Sequence, residues 1–323
     1  MKKRMFIGID IGGTNMRAAL IDKQGKILQL NKIPTDNAAG AENASKRLVE
    51  TCRSLVQKSP EWGGNVVGIG MGVAGKINAK EGLVVFSPNI PCMRNYPLGI
   101  ELEEGLSIPV VMENDANVFG IGENWIGAGH ALDNWVGLTL GTGVGGCLIL
   151  EGRLWEGDHL GFAAELGHII VQPGGPLCNC GLRGCLEAHA SGRALMQGVE
   201  EAVEQGALSN GPLFEKWQRN ALNPKVIYEC ALQEDPTALK LFNRMGWALG
   251  LAIANLFTAL GIRHAIIGGG VSASWDLFVG PLRESLANHS SFLSPEEMVI
   301  LRSSLQDDAA LVGAAKLAMD LTV

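Results

Sequence analysis

The chain has 323 residues, of which 47% are apolar and 18% charged, and its formal net charge is −7. Disordered chains combine high charge with few apolar residues, so this composition excludes disorder. The acidic balance argues against a general nucleic-acid binder, which needs a basic surface. At about 150 residues per domain, the length predicts two domains. The 43 glycines are an excess, so we expect many tight turns and close backbone approaches.

The sequence shows neither an export signal nor a clear membrane span. The basic segment Met1–Met5 is followed by an apolar stretch that ends at Asp10, too short for a signal-peptide core. Met245–Ile262 lacks charged residues, but it contains glycines and polar residues and stands alone, so we interpret it as a buried core helix. With seven cysteines and no export signal, we expect a reduced, soluble and cytoplasmic protein.

Two segments of the chain repeat one pattern. Ile7–Thr14 (IGIDIGGT) aligns with Val136–Gly143 (VGLTLGTG), and each copy reads as a strand, a glycine-rich turn and a second strand. A second turn and a third apolar run follow in both copies. The repeat predicts two similar α/β lobes, each opened by a hairpin with a glycine tip. Chance similarity between two glycine-rich hairpins is the alternative.

The remaining elements follow from hydrophobic periodicity and helix-end signals. In chain order, the pattern predicts a helix over Ala44–Lys58, strands over Val66–Val73 and Ile108–Met112, helices over Ala116–Glu123, Ser191–Gln205 and Pro236–Leu260, a strand over Ala265–Ile267 and a helix over Asp307–Met319. No linker rich in proline or serine separates the two halves, so we expect the domains to share a continuous interface and a cleft.

Three glycine-rich turns are candidates for binding a nucleotide. Backbone N–H groups in such turns can approach phosphate oxygens without an intervening side chain. Asp10 is a candidate partner for phosphate-bound Mg²⁺, directly or through water. For the two repeated turns the alternative is an ordinary tight hairpin, and for the third it is a plain strand-to-helix turn. The candidate residues are Asp10, Gly12, Gly13, Thr14, Gly141, Thr142, Gly143, Gly268, Gly269 and Gly270.

A cluster of cysteines predicts a metal site. One histidine and three cysteines suffice for tetrahedral Zn²⁺, and four protein ligands leave no open position, so the zinc would be structural. Reduced cysteines packed as small hydrophobes are a weaker alternative among so many glycines. Zinc on one nitrogen of His168 would leave the other to donate a hydrogen bond, near Glu165 and Glu187. The four ligands would be His168, Cys178, Cys180 and Cys185.

Asp115 is the candidate catalytic carboxylate. It follows a predicted buried strand and stands beside Asn114. In a cleft, its carboxylate could accept the proton of an alcohol that attacks a γ-phosphate. A role as the N-cap of the next helix is an equally open interpretation.

Taken together, these motifs resemble the ROK family of sugar kinases and repressors. The similarity runs from about residue 5 to the C-terminus, and within the family the chain looks most like the bacterial glucokinases. The segments that carry it are DIGGTN at 10–15, ENDAN at 113–117, LGTGVGG at 140–146, ELGH at 165–168, CNCGLRGCLE at 178–187 and IIGGGVS at 266–272.

The resemblance implies an α/β fold of the two-lobed, actin-like ATPase (hexokinase) type, with duplicated α/β lobes that close over ATP–Mg²⁺ and a sugar. We place the smaller lobe at 1–117 and the larger at 118–306, with the zinc loop and sugar-binding residues in the larger lobe. A C-terminal helix at 307–323 would pack back on the smaller lobe. The resemblance also implies a homodimer or a dimer of dimers. From the acidic charge and the lack of a clear membrane span, we expect neither nucleic-acid nor membrane partners.

The same resemblance assigns roles to individual residues. Asp115 would be the general base in ATP-dependent phosphorylation of glucose at its 6-hydroxyl. His189 stands where an aromatic residue is common, which bears on the choice of sugar more than on the kinase assignment. The residues that would contact sugar hydroxyls are Asn89, Asn114, Asp115, Glu165, His168 and Glu187.

Other functions within the family stay open at this stage. N-acetylmannosamine, N-acetylglucosamine or fructose could replace glucose as the substrate. A sugar-responsive repressor is less favoured, because such repressors carry an N-terminal helix-turn-helix and the first strand here begins by Met5. An inactive sugar sensor is also less favoured, because Asp115 and both phosphate turns are present.

Overall fold

The computed structural model describes residues 2–158 and 162–322 of the chain. The strands in these ranges are β1 (Lys3–Ile11), β2 (Asn15–Ile21), β3 (Ile27–Pro34), β4 (Gly64–Val73), β5 (Lys76–Asn78), β6 (Leu83–Phe86), β7 (Val110–Asn114), β8 (Trp135–Leu140), β9 (Val144–Leu150), β10 (Arg153–Leu154), β11 (His264–Gly268) and β12 (Val299–Arg302). The α-helices are α1 (Ala41–Lys58), α2 (Leu98–Leu106), α3 (Asp115–Ile126), α4 (Glu187–Ala190), α5 (Gly192–Glu204), α6 (Gly211–Gln218), α7 (Pro224–Leu232), α8 (Pro236–Leu260), α9 (Trp275–Asn288) and α10 (Ala309–Leu321).

Two five-stranded sheets share one strand order. The first runs β3-β2-β1-β4-β7 and the second runs β10-β9-β8-β11-β12. In both sheets three consecutive strands lie side by side, and two later strands are added next to the first of the three. β1 pairs antiparallel with β2 and parallel with β4, and β8 pairs parallel with β11. The two glycine-tipped hairpins that repeat in the sequence supply β1 and β2 of the first sheet and β8 and β9 of the second. The predicted duplication of an α/β architecture is therefore confirmed.

The first sheet is covered by apolar side chains on both faces. Successive residues of a strand point to opposite faces, and along β1 the alternate residues Ile7 and Ile9 pack in one cluster with Leu48 and Leu55 of α1. Phe6 packs in a second cluster with residues of α10. A strand buried on both faces reads as a nearly continuous apolar run, which is the pattern that β1 shows.

The chain forms two compact units. The first unit comprises Met1–Asp133, Cys147–Ala164 and Ser303–Val323, and the second comprises Asn134–Gly146 and Glu165–Arg302. In the first unit, α10 packs on β1, β4 and α3. The predicted lobes, 1–117 and 118–306, divide the chain at other points, because α3 groups with the sheet whose strand β7 it directly follows. Those lobe boundaries stay a prediction.

Several elements differ from their predicted bounds. The strand predicted over 108–112 is β7, which extends to Asn114, and the C-terminal helix begins at Ala309 after a short 3₁₀ turn, Gln306–Asp308. Helices α2, α4, α6, α7 and α9 were not predicted. α9 contains Pro281, a residue that normally argues against a helix interior. The predicted core helix over 245–262 is largely the second part of α8, and among the described residues we find no helix long and apolar enough to cross a membrane.

Glycines of the first sheet let α10 lie directly on the strands. A Cβ atom at Gly70 of β4 would stand 1.7 Å from the carbonyl oxygen of Ala314, and one at Gly8 of β1 would stand 2.0 Å from that of Leu311. Neither oxygen can move away easily, because both belong to the helix backbone. Part of the glycine excess therefore serves helix-on-sheet packing rather than turns.

We expect G70A to lower the free energy of unfolding by about 2 kcal/mol or more, because the added methyl overlaps helix backbone in a packed core. Gly68 offers a matched control on the same strand, since its added Cβ would lie 3.3 Å from the carbonyl oxygen of Ala318. Urea titrations of the two variants measure the difference. Equal losses for G68A and G70A would contradict the close-packing explanation.

Candidate functional site

The first glycine turn joins β1 to β2 and is held by hydrogen bonds from residues outside the turn. Its carbonyl oxygens accept hydrogen bonds from residues that follow β3. The Thr35 hydroxyl donates to Gly12 O at 2.6 Å, its N–H donates to Thr14 O at 2.9 Å, and Asn37 Nδ2 donates to Gly13 O at 3.2 Å. Since each peptide unit is planar, fixing the carbonyls also fixes the direction of the N–H groups. The predicted phosphate turn is thus a rigid element.

Asn89, a predicted sugar contact, lies against this same turn. A Cβ atom at Gly13 would stand 2.7 Å from Asn89 O, so only glycine permits this approach. Asn37 Nδ2 also donates to Asn89 O, at 3.3 Å. The structure therefore brings Asn89 and the first phosphate turn together within the first unit.

Asp10, the predicted partner for Mg²⁺, forms an ion pair. Its Oδ2 accepts from Arg17 Nη2 at 2.8 Å and from Arg17 Nε at 3.1 Å, across the β1–β2 register that places the two residues opposite each other. Arg17 also donates to the carbonyl oxygen of Asp307 and lies 3.8 Å from the Asp308 carboxylate. One carboxylate oxygen of Asp10 is therefore already paired with the Arg17 guanidinium.

The second glycine turn, between β8 and β9, is tied to Glu187. The N–H of Val144 donates to Glu187 Oε2 at 2.9 Å, and a Cβ at Gly143 would stand 2.3 Å from the same oxygen. Gly141 O accepts the N–H of Gly192 at 2.8 Å, at the start of α5. A predicted phosphate turn and a predicted sugar contact thus touch each other within the second unit.

The third glycine turn connects β11 to α9 through a 3₁₀ turn, Gly270–Ser274. Gly269 has φ of 83°, and a Cβ there would stand 2.5 Å from Leu140 O. Gly268 pairs with Thr139 of β8. Gly270 lines a cavity of about 550 Å³ in the second unit, together with Gly141 and Thr142. The turn connects a strand to a helix, as the alternative interpretation expects. It also borders the cavity, and its contact with a nucleotide stays a prediction.

The cavity includes residues that the sequence did not single out. They come from α5, from the segment that starts α7 and from the 3₁₀ turn. Because these segments are far apart in the chain, no local sequence pattern predicts that their residues line one cavity. Asn223 followed by Pro224 is a helix-start signal, and Asn223 does cap α7, but that signal predicts a helix rather than a cavity. The further lining residues are Gly192, Arg193, Met196, Asn223, Pro224, Lys225, Tyr228, Val271, Ala273 and Ser274.

Asp115 is the first residue of α3, and the residue before it caps that helix. The Asn114 side chain accepts from the N–H groups of Ala116 at 2.9 Å and Asn117 at 3.3 Å, and its Nδ2 donates to Gly75 O at 3.1 Å. The structure therefore corrects the predicted cap, which was Asp115. Asn and Asp are equally good capping types, so only the backbone geometry separates them. Asp115 Oδ1 accepts from Ala116 N–H at 3.0 Å.

The predicted zinc ligands come together in the second unit. Their ligand atoms all lie within 4.8 Å of one another, with Cys178 Sγ 3.7 Å from His168 Nδ1 and Cys180 Sγ 3.6 Å from Cys185 Sγ. Ligands about 2.3 Å from a tetrahedral Zn²⁺ stand about 3.8 Å apart. Donor chemistry and spacing are therefore both compatible with zinc, and Nδ1 is the imidazole nitrogen that faces Cys178.

Glu165 precedes the 3₁₀ turn Leu166–His168, and Glu187 begins α4. The carbonyl oxygen of Glu165 accepts the N–H of His168 at 3.0 Å, which closes this turn. Burial raises the pKa of Glu165, and the nearby Glu187 carboxylate raises it further against the opposing effect of His168. Glu187 Oε1 lies 3.7 Å from Cys178 Sγ. The two predicted carboxylates therefore lie near the predicted zinc ligands, Glu165 near His168 and Glu187 near Cys178.

His189 of α4 is buried, with 2% of its surface exposed. Its ring meets Trp247 edge-on with centroids 5.7 Å apart, and neither ring nitrogen has a hydrogen-bond partner among the described residues. Burial, with a smaller contribution from Arg244, lowers the pKa of His189 to about 4. The imidazole thus packs against an aromatic ring and is neutral at pH 7.

Comparison with known proteins places this geometry in context. The sequence profile of the ROK family matches residues 6–321. The glucokinase of Thermotoga maritima is 38% identical over 98% of this chain and 98% of its own length. The crystal structure of a ROK family glucokinase from Streptomyces griseus, in complex with glucose and AMPPNP, has a TM-score of 0.80 at 36% identity, covering 98% of this chain and 99% of that chain.

A relative from another functional class is more distant. The xylose repressor of Caldicellulosiruptor bescii is 28% identical over 95% of this chain and 76% of its own length. The solved structures confirm the predicted fold class, the α/β fold of the actin-like ATPases in its hexokinase form.

We expect His189 to make stability depend on pH. In the unfolded chain a histidine takes up its proton near pH 6.5, whereas the native pKa is about 4. The unfolded state therefore gains protons first, and stability falls as the pH drops from 6.5 to 4, by as much as about 3 kcal/mol. Urea midpoints at several pH values measure this loss.

H189F should reduce the acid loss, because phenylalanine fills the buried site without a titratable nitrogen. The control is H130F, since His130 is exposed. Taking differences from the wild type cancels effects of the cysteine cluster that all three proteins share. An acid loss in H189F as steep as in H130F would contradict the assignment.

Proposed function

The chain belongs to the ROK family, and we propose that it acts as an ATP-dependent hexose kinase that converts glucose to glucose 6-phosphate. The observation that carries this proposal is the similarity to glucokinases over nearly the full length of both chains. Identity to the repressor is lower. The site residues are suited to the same chemistry, because they include a carboxylate at a helix start, two glycine turns held by hydrogen bonds, and polar side chains that could bind hydroxyl groups.

We assign the sugar hydroxyls to Asn89, Asn114, Asp115, Glu165, His168 and Glu187. The bonds inside the protein leave suitable groups for this role. Asn114 uses its Oδ1 as a helix cap and one N–H on Gly75, and an amide carries a second N–H to donate. His168 faces the cysteines through Nδ1, so Nε2–H would donate to the sugar. Glu187 holds the Val144 N–H with Oε2, and Oε1 can accept from a hydroxyl.

We assign the nucleotide to the glycine turns and the cavity of the second unit. In each unit a glycine turn, Gly12–Thr14 or Gly141–Gly143, would offer backbone N–H groups to phosphate oxygens. The nucleoside would bind beside Gly268–Gly270, where apolar side chains such as Met196 and Val271 line the cavity. Mg²⁺ would neutralise phosphate charge. Because Asp10 Oδ2 holds Arg17, contact between Asp10 and the ion through water is the better fit.

In the proposed step, Asp115 accepts the proton of the sugar 6-hydroxyl while that oxygen attacks the γ-phosphorus of ATP. The new oxygen–phosphorus bond forms as the bond to the β-phosphate oxygen breaks, which releases ADP. Charge neutralisation and positioning supply most of the acceleration in phosphoryl transfer. The rigid turns and the fixed start of α3 are suited to positioning.

We propose that the cluster of His168, Cys178, Cys180 and Cys185 holds a structural Zn²⁺. The metal would fix the imidazole plane and shape the loop that carries the predicted sugar ligands. Cysteine binds Zn²⁺ as the thiolate, so the three cysteines would have to stay reduced to hold the metal. A homodimer or a dimer of dimers remains our proposal for the assembly.

The proposed function predicts ADP release that depends on glucose in a coupled assay. We would compare glucose with mannose, fructose, N-acetylglucosamine and N-acetylmannosamine, and expect glucose to have the highest kcat/KM. D115N should bind glucose normally by calorimetry but lose turnover by about 10³-fold, because the proton acceptor is gone.

The matched control is D133N, since Asp133 is an exposed aspartate outside the proposed site. No turnover with any of these sugars would refute the kinase assignment. A higher kcat/KM with an N-acetylhexosamine would refute glucose as the substrate, and near-normal turnover by D115N would refute the base.

The zinc proposal predicts one zinc per chain by metal analysis. C180S should lose the metal and weaken glucose binding about 10–100-fold, because His168 is no longer held in one orientation. C230A is the control, since Cys230 is a buried cysteine of α7 outside the cluster. If wild-type protein without any metal has the same glucose affinity and melting temperature as protein supplied with zinc, the site is ruled out.

A further inference from the structure

Glu113 joins the two sides of the turn that carries Asp115. It stands near the end of β7, and its Oε1 accepts two hydrogen bonds, one from the backbone N–H of Asn114 at 2.7 Å and one from Asn117 Nδ2 at 3.0 Å. The first donor precedes Asp115 and the second lies in the first turn of α3. One carboxylate oxygen therefore links the strand end to the helix start across Asp115.

The surroundings of Glu113 make this link costly to break. Burial raises the pKa of its carboxyl group, and the two N–H bonds oppose that rise. A buried N–H group that loses its acceptor costs about 1–3 kcal/mol. Asn114 adds to the same turn, because its side chain caps α3 and also donates to Gly75.

We propose that Glu113 is a positioning residue for Asp115, and that it acts by holding the strand-to-helix turn through Asn114 and Asn117. The proposal rests on the proposed role of Asp115 as the general base. Displacing a reacting group by about 1 Å can lower a rate by about 10²-fold. Loss of Glu113 should therefore lower kcat much more than it changes the KM for ATP.

The experiment compares E113A with E113Q and with a matched control, E103A. Glutamine keeps a side-chain oxygen of the same reach, so E113Q can still accept both bonds and should keep kcat within about 3-fold of the wild type. Glu103 Oε2 accepts the N–H of Val110, the first residue of the same strand, at 3.1 Å. E103A thus removes a carboxylate that accepts a backbone N–H at the other end of β7, and it should leave kcat unchanged.

We expect E113A to lower kcat at least 10-fold, with the KM for ATP within about 3-fold of the wild type. N117A should lower kcat as well, and the double variant E113A/N117A should lose no more than E113A alone, because both changes remove one link. Melting temperatures of all variants establish that they fold. If E113A does not fold, E113Q and N117A carry the test.

Three outcomes would overturn the proposal: a kcat for E113A within 3-fold of the wild type, additive losses in the double variant, or no rescue by E113Q. A loss of kcat in E103A equal to that in E113A would also overturn it, since the effect would then be one of strand stability. D115N separates this inference from the proposed function. Near-normal turnover by D115N defeats the base assignment itself, whatever Glu113 does.

Discussion

In the second unit, one hydrogen bond connects the segments that carry the proposed site residues, the bond from the N–H of Val144 to the carboxylate of Glu187. This bond ties the glycine turn of β8–β9 to α4, whose preceding loop carries the three cysteines. The turn needs glycine because a Cβ at Gly143 would overlap the same carboxylate. The predicted phosphate turn, the Glu187 carboxylate and the predicted zinc ligands are therefore in contact with one another within this unit.

Much of this arrangement could be predicted from the sequence, where the signal is local. The cysteine cluster lies within one loop, so residue types and spacing suffice. Helix α8 has the predicted bounds because Asp235 caps it, Pro236 starts it and Gly261 ends it. The duplicated hairpins were recognisable for the same reason, since each is one short continuous segment.

Features built from distant segments could not be predicted. The cavity of the second unit is lined from α5, the start of α7 and the turn after β11, and no stretch of sequence contains that shape. The cap of α3 was assigned to Asp115 because residue type does not distinguish it from Asn114. Gly70 lies in the predicted strand Val66–Val73, but the sequence does not identify what packs against it. Only the packed helix α10 shows what a side chain at Gly70 would meet.

The bracing of the first glycine turn separates a motif from the residues that shape it. Thr35 and Asn37 hold all three carbonyls of the turn, although β2 and β3 intervene in the chain. Two relatives with identical glycine motifs can therefore differ in how tightly they bind the same anion. Divergence at positions 35 and 37 could tune affinity during evolution while the motif itself stays unchanged. Comparisons of such enzymes that align only the glycine segment would overlook the positions through which this tuning acts.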